Sequence, residues 1–180
     1  HVDHAMGAPE FDEVWMNHAD DRVHRAHESL AVRRQFLELS PFRDDVEDAD
    51  YVTPGVCENY RALRDGDSFD LGGVTVTMLA CPGHTKGSMT ALLREERMLL
   101  LGDACNPFTF LWERFSEPVA VYEESLKTLQ AKTAGLYDRV LLSHGSGNGP
   151  ADMIGDIIGV CEDIKAGNVD NVPYTFLGFT

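Results

Sequence analysis

The feature that most limits how this chain can fold is a repeated pattern, in which a short apolar segment ends in a polar loop. The segments "VTVTMLA", "RMLLL" and "DRVLL" are rich in aliphatic residues, which predicts strands. They run into the polar stretches "CPGHTKGS", "GDACN" and "SHGSGNG". Loops at the ends of neighbouring strands lie side by side at one edge of a sheet. The pattern therefore predicts a layered α/β or α+β domain with a polar sheet edge.

Hairpins and helices account for most of the remaining chain. "DSFDL", Gly72-Gly73 and "VTVTMLA" predict a β-hairpin, and "SMTALL" with "RMLLL" predicts another strand pair joined by "REER". Helices are predicted at residues 19–39, after Pro118 as far as Gly135, and at about 150–166. Short strands are predicted at "DEVWM" and at the terminal "PYTFLGF". The sequence contains no repeat, low-complexity tract or linker, which predicts one domain over residues 1–180.

Charge and composition narrow the classes of partner. The 180 residues carry a net charge of −15, from 15 Lys and Arg and 30 Asp and Glu. Surfaces for nucleic acid or for anionic membranes need clustered basic residues, so both partners are disfavoured. No apolar run approaches the ~20 residues that span a bilayer. The four cysteines are scattered without a CxxC pair, which favours reduced thiols and a cytoplasmic location.

Six candidate metal ligands stand out once the strand ends are compared. They lie in the opening segment "HVDHAMG" and in the three polar loops: His1, Asp3, His4, His84, Asp103 and His144. Imidazole and carboxylate groups of this kind hold Zn²⁺, Fe or Mn in proteins. Each loop residue also has a structural alternative, such as a capped loop histidine or a Gly-Asp turn. Three separate strands that all end in a ligand type favour a shared metal site.

These segments resemble the signature motifs of the metallo-β-lactamase fold family. "HVDHAMG" is similar to the last four positions of its His-x-His-x-Asp-His motif. "PGHTKGSM", "LLLGDA" and "LLSHG" resemble its Pro-Gly-His-Thr-x-Gly-Ser loop, its Gly-Asp segment and its last histidine loop, in the same order. The resemblance implies a four-layer αββα sandwich that binds two divalent metal ions, with zinc favoured over iron or manganese.

The resemblance also assigns ligands to each metal. Those of the first metal would be His1, His84 and Asp103, and those of the second Asp3, His4, His144 and the shared Asp103. The family motif contains a further histidine two residues before His1, and strands that form much of one sheet precede it. We therefore expect the chain to be the C-terminal portion of a longer protein, without most of the N-terminal sheet.

Such a site predicts hydrolysis without a covalent protein nucleophile. Two metals about 3.5–4 Å apart can bridge a hydroxide with a pKa of about 7, which attacks a carbonyl group. Asp3 is predicted to orient this hydroxide or to accept its proton. The chain between Asp103 and His144 is too short for the inserted domain of RNA-processing members. The predicted substrate is a small-molecule ester, thioester, lactone or amide.

Several nearby residues are candidate substrate contacts: Lys86, Asn106 and Phe108. Lys86 could meet a substrate carboxylate, or it could be merely solvated. Phe108 begins an aromatic run with Phe110, Trp112 and Phe115, which forms either an apolar lip over the metals or ordinary core.

Other histidines and cysteines have simpler interpretations. His18, His24 and His27 are predicted to be solvated or to pack a helix, and Cys81 and Cys105 to be small buried fillers. The acidic segment 43–50 is predicted to be an exposed loop. Two other functional classes stay open: a metal-binding module without catalysis and an iron-dependent oxidoreductase. The sequence indicates no oligomeric state.

Overall fold

The computed structural model describes residues 1–112 and 114–174. The chain forms two compact units, one of residues 1–62 together with residues from 170 on, and one of residues 63–169. The prediction of a single domain over residues 1–180 stays a prediction. No helix among the described residues combines the length and the apolar character that a membrane crossing requires.

The first unit consists of short helices and one pair of strands. Its helices are α1 Val2–Ala5, α2 Asp21–His27 and α3 Leu30–Leu37, and its strands are β1 Trp15–Met16 and β2 Arg61–Ala62. The two strands are parallel, with Trp15 opposite Arg61. Single 3-10 turns connect these elements at Ala8–Glu10, His18–Asp20, Arg43–Asp45, Asp48–Asp50 and Cys57–Asn59. The predicted strand "DEVWM" is therefore only two residues long, and these two are half-buried.

The predicted single helix over residues 19–39 is wrong, because the chain breaks between α2 and α3. Ser29 is the N-cap of α3, and its Oγ accepts a hydrogen bond from the Val32 amide at 3.3 Å. A serine at this position satisfies one of the amides that a helix start leaves without a partner. The cap therefore lets α3 start as a separate helix.

Two other predictions concern exposed or terminal segments. Residues 43–50 are exposed except for the half-buried Val46, which confirms the predicted acidic surface segment. Pro173 and Tyr174 are not in a strand, and residues 175–179 of the predicted terminal strand lie outside the described residues.

The second unit is built on a six-stranded mixed sheet. Its strands are β3 Ser68–Asp70, β4 Thr75–Ala80, β5 Met89–Leu93, β6 Met98–Gly102, β7 Arg139–Leu142 and β8 Asn148–Gly149. They are ordered β3-β4-β5-β6-β7-β8, and only the β6–β7 pair is parallel. Both predicted hairpins are confirmed. Because β5 is antiparallel to both its neighbours, β4, β6 and β7 run in the same direction and end at one edge.

Two long helices complete the second unit, α4 Val119–Thr133 and α5 Met153–Ala166. Their apolar faces join the sheet in one core cluster, whose fully buried members include Leu99, Leu101, Leu126, Leu129 and Ile154. Burial of large aliphatic side chains is the main favourable contribution to such a fold. The mixed sheet and its helices confirm the α/β class.

Candidate metal centre

The three predicted ligands of the second unit lie at the shared edge of β4, β6 and β7. His84 follows β4, and Asp103 comes directly after β6. In the parallel β6–β7 pair, Gly102 lies opposite Leu142, so Asp103 and His144 emerge beside each other. The strand register therefore brings these ligands together, as the polar-edge pattern predicts.

The two histidines face different oxygens of the Asp103 carboxylate. His84 Nε2 lies 3.9 Å from Asp103 Oδ2, and His144 Nε2 lies 3.1 Å from Asp103 Oδ1. The His84 side chain is 8% exposed and that of Asp103 17%, whereas that of His144 is 55% exposed. The Asp103 carboxylate therefore lies between the two histidine rings, with one Nε2 near each oxygen.

The ring of His84 is oriented by a main-chain carbonyl. Its Nδ1 lies 2.7 Å from the Phe110 carbonyl oxygen. A carbonyl only accepts hydrogen bonds, so Nδ1 carries a proton and Nε2 is the ring nitrogen left to bind a metal ion. Metal-binding histidines commonly have such a partner on the second ring nitrogen. The donor set of two imidazoles and one carboxylate therefore fits a divalent transition-metal ion.

The loop that carries His84 is braced by hydroxyl groups. The Thr85 and Ser88 hydroxyls lie 2.8 Å apart, and Ser88 Oγ also accepts from the Thr85 amide at 3.0 Å. Ser116 Oγ donates to the His84 carbonyl oxygen at 2.6 Å. These bonds hold the loop in place without using the ring of His84.

Tyr122 of α4 supports two of the three ligand loops, those of His84 and Asp103, and sequence reasoning missed this role. Its hydroxyl donates to the Ala104 carbonyl oxygen at 2.8 Å, next to Asp103. Its ring fills the space beside Gly83, where an added Cβ would lie 2.0 Å from Tyr122 Cδ2. Gly83 therefore has to be glycine, since any side chain would displace the ring that braces the site.

Gly102 lets the chain turn from β6 into the Asp103 loop. Its φ is +56°, in the left-handed region that L residues with a side chain rarely adopt. The β6–β7 register also shifts between Leu100 and Gly102. This irregularity lies at the end of the β6–β7 pairing and directs the next residue, Asp103, to the sheet edge.

The three predicted ligands of the first unit share one short segment. His1 is the N-cap of α1, and Asp3 and His4 lie within that four-residue helix. His4 Nε2 lies 3.4 Å from Asp3 Oδ2, with both side chains about one-third exposed. The His1 ring packs edge-on against His27, with 4.7 Å between centroids. Their roles as ligands stay predictions.

The helix-packing interpretation of the other first-unit histidines is confirmed for His24 and His27. His24 is buried, and its ring meets the edge of Tyr60 at 6.0 Å. Burial lowers the pKa of His24 below its ordinary 6.5. His27 bridges toward α3 through a ring contact with Phe36 at 5.4 Å.

The cysteines near the ligand loops are core residues. Cys81 and Cys105 are fully buried in the second unit's core, and burial raises the pKa of each thiol to about 12. The filler interpretation is therefore confirmed for both.

The predicted substrate contacts differ in their surroundings. Lys86 is exposed on the His84 loop. Asn106 Oδ1 accepts from the Phe108 amide at 2.9 Å, so this side-chain oxygen shapes the turn after Asp103. Phe108 is 54% exposed. Contact of these three residues with a substrate stays a prediction.

Known proteins are similar to this chain in sequence and in fold. Among curated proteins, the chain is 26% identical over 154 residues to the acyl-coenzyme A thioesterase MBLAC2 of Gallus gallus. It is 27% identical over 157 residues to the MBLAC2 of Homo sapiens. Each alignment covers 80% of this chain and 53% of the relative, so the chain spans about half the length of these relatives.

Solved structures and a family model agree with that similarity. A metallo-beta-lactamase family protein from Thermus thermophilus is 25% identical, with a TM-score of 0.50 over 87% of this chain and 52% of its own. A beta-lactamase domain protein from Burkholderia ambifaria is 21% identical and shares the fold, with a TM-score of 0.56 over 86% of this chain and 47% of its own. The model of the metallo-beta-lactamase superfamily matches residues 1–144. With this match over most of its length, the chain belongs to the metallo-beta-lactamase superfamily.

Proposed function

We propose that this chain is a metal-dependent hydrolase of small-molecule acyl thioesters. The observation that carries the proposal is the pair of histidine Nε2 atoms, from His84 and His144, that face the two oxygens of Asp103. Membership of the metallo-beta-lactamase superfamily supports the hydrolase class. The curated relatives are named as acyl-coenzyme A thioesterases, which favours the thioester among the predicted carbonyl substrates.

The proposed cofactor is a pair of divalent cations, with zinc favoured. His84 would hold one ion and His144 the other, with Asp103 shared between them. The proposal that His1, Asp3 and His4 complete the ligand set rests on the similarity of "HVDHAMG" to the family signature. Zinc suits this set because it accepts both imidazole nitrogen and carboxylate oxygen.

Bound divalent ions would supply Lewis acidity and a water of lowered pKa. The chain's own residues then have two tasks. The Phe110 carbonyl holds the Nδ1 proton of His84, which keeps Nε2 as the lone-pair face toward the site. Asp3 would take up the proton of the attacking water. A thiol leaving group has a pKa of about 8.5 and departs as the thiolate, so thioester cleavage needs no strong proton donor.

Hydrolysis of a substrate panel by the metal-loaded full chain tests this proposal. The panel contains acyl thioesters, the matching oxoesters, a lactone and a β-lactam, and a thiol reagent follows thioester cleavage. We expect thioester hydrolysis that a chelator abolishes and added zinc restores. Asp103→Asn should reduce kcat/KM at least about 100-fold, whereas the control Asp156→Asn, at an exposed position of α5, should not. No hydrolysis of any panel member would contradict the proposal.

A further inference from the structure

Three aromatic rings form a row in the loop that follows Asp103. The rings of Phe108 and Phe110 meet edge to face with centroids 5.0 Å apart, and those of Phe110 and Trp112 stack at 5.2 Å with an 18° interplanar angle. We call this row of Phe108, Phe110 and Trp112 the aromatic ladder. Such contacts hold the rings as one continuous apolar surface.

The aromatic ladder does not belong to the buried core of the second unit. Within the same loop, Leu111 packs against that core, whereas the three ladder residues are not part of it. Phe108 is 54% exposed, and Phe110 and Trp112 are half-buried. The exposure of Phe108 favours the apolar-lip interpretation for this ring over ordinary core packing.

Backbone hydrogen bonds tie the aromatic ladder to the candidate metal ligand His84. The Phe110 carbonyl oxygen accepts from His84 Nδ1 at 2.7 Å. The Trp112 amide donates to Ser116 Oγ at 2.6 Å, and the same Oγ donates to the His84 carbonyl oxygen at 2.6 Å. Two of the three ladder residues are thus linked, directly or through one hydroxyl, to the ligand that faces Asp103.

We propose that the aromatic ladder binds the acyl chain of the thioester substrate and selects for its length. This inference rests on the proposed function, since it identifies the part of the substrate that lies beside the reacting carbonyl. The acyl chain is bonded directly to that carbonyl carbon, so it must lie next to the ligands, where the ladder is anchored. An adenine ring could also stack on aromatic side chains, but in an acyl-coenzyme A the whole pantetheine arm separates it from the thioester.

The row of rings implies a graded dependence on chain length. Each methylene buried against apolar surface contributes about 0.8 kcal/mol, which corresponds to about a fourfold gain in kcat/KM. We expect kcat/KM to rise with each added methylene until the chain passes the exposed ring of Phe108, and then to level off.

A binding experiment tests the ladder independently of catalysis. The chain has two tryptophans, so Trp15→Phe leaves Trp112 as the single fluorophore. Non-hydrolysable S-alkyl coenzyme A thioethers of two to sixteen carbons (about that range) are titrated against Trp112 emission. We expect Kd to fall as the alkyl chain lengthens, with a blue shift of the emission. Equal quenching by coenzyme A without an alkyl group would indicate nucleotide stacking and overturn the proposal.

A kinetic comparison of two variants tests selectivity. Phe108→Ala removes the exposed ring, and Leu71→Ala is the control, since Leu71 is 68% exposed in the β3–β4 turn at the far end of β4 from His84. We expect Phe108→Ala to lower kcat/KM at least about tenfold more for a dodecanoyl than for an acetyl thioester, with Phe108→Leu restoring most of that difference. The Leu71→Ala control should show the same dependence of kcat/KM on acyl-chain length as the wild-type protein.

The ladder's role would be overturned if Phe108→Ala lowered kcat/KM equally for both thioesters. It would also be overturned if kcat/KM of the wild type did not change with acyl-chain length. Failure of the proposed function gives a different result, which is no thioester hydrolysis at any chain length. In that case the Trp112 titration still decides whether the ladder binds alkyl chains.

Discussion

The two units position their candidate ligands in different ways. In the second unit, His84, Asp103 and His144 follow three strands of one sheet. The pairing of β6 with β7 places the Asp103 and His144 loops side by side. In the first unit, Asp3 and His4 lie on a helix of four residues. Isolated short helices are marginal, so their geometry depends on the contacts around them. A sheet edge is therefore the more rigid platform of the two.

The two units also differ in how apolar their buried side chains are. The second unit buries a continuous core of aliphatic side chains from its sheet and its two long helices. The buried side chains of the first unit include the polar His24 and Arg33 beside Met6, Val23 and Cys57. Arg33 lies over the Tyr51 ring at 5.0 Å and donates to the Val52 carbonyl at 2.6 Å. Less apolar burial predicts that the first unit opens locally before the second.

The largest expected effect is that of Gly83→Ala in the second unit. The new Cβ would lie 2.0 Å from Tyr122 Cδ2, so the ring that supports the His84 and Asp103 loops has to move. We expect a loss of about 3 kcal/mol in the free energy of unfolding, measured by urea denaturation. Gly159→Ala in α5 is the matched control, because its Cβ meets nothing within 4 Å, and helix propensity should make it neutral or stabilising. Equal stability of the two variants would contradict the close packing of Gly83.

The next effect concerns the Tyr122 hydroxyl. Tyr122→Phe leaves the buried Ala104 carbonyl without its 2.8 Å hydrogen bond, beside Asp103. We expect a loss of about 1–2 kcal/mol and weaker metal binding. Tyr137→Phe is the comparison, since its hydroxyl bonds the Ala151 carbonyl at 3.2 Å in an exposed setting. Thermal denaturation compares the two variants. If Tyr137→Phe lowers Tm more than Tyr122→Phe does, the support assigned to Tyr122 is wrong.

A smaller effect is expected at the cap of α3 in the first unit. Ser29→Ala removes the side chain that accepts from the Val32 amide and should cost about 1 kcal/mol. Hydrogen exchange should show faster exchange of the Val32 amide, with the β5 and β6 amides of the second unit unchanged. Ser29→Asp, which keeps an acceptor at the cap, should restore protection. Equal acceleration in both units would contradict their separate behaviour.

The smallest expected effect is on the pH dependence of the first unit's stability. Burial lowers the pKa of His24, so the unfolded chain binds a proton at a higher pH than the folded chain. The stability contributed by neutral His24 is present above the ordinary pKa of 6.5 and is lost as the pH falls below it. His24→Phe should therefore reduce the dependence of Tm on pH between about 7.5 and 5, and the remainder comes from His27, whose pKa is lowered by burial to about 4. An unchanged dependence would show that His24 is not buried as described.

The sequence predicts best those features whose causes are local. The Gly72-Gly73 hairpin and the three strand-to-loop junctions at His84, Asp103 and His144 follow from residues next to each other in the chain. Because strand direction orders the sheet edge, the proximity of these ligands could also be predicted. The break at Ser29 was missed, since the apolar periodicity continues across it and one capping serine is a weak signal.

The supporting contacts of the site had no signal in the sequence. The Phe110 carbonyl that orients His84 is a backbone group 26 residues away along the chain, and any residue type supplies one. Tyr122 looks like one more apolar position of α4, although its hydroxyl reaches Ala104. Contacts of this kind depend on how the helix packs on the sheet, which composition and periodicity do not determine.

The stoichiometry of zinc in single-ligand variants tests the central claim most directly. The claim is that Asp103 is shared between two ions, one on the side of His84 and one on the side of His144. Mass-spectrometric metal analysis of the full chain should find two zinc ions in the wild type, one in His84→Ala and one in His144→Ala. Asp103→Ala should hold fewer than either histidine variant. Two retained ions in Asp103→Ala would contradict the shared carboxylate.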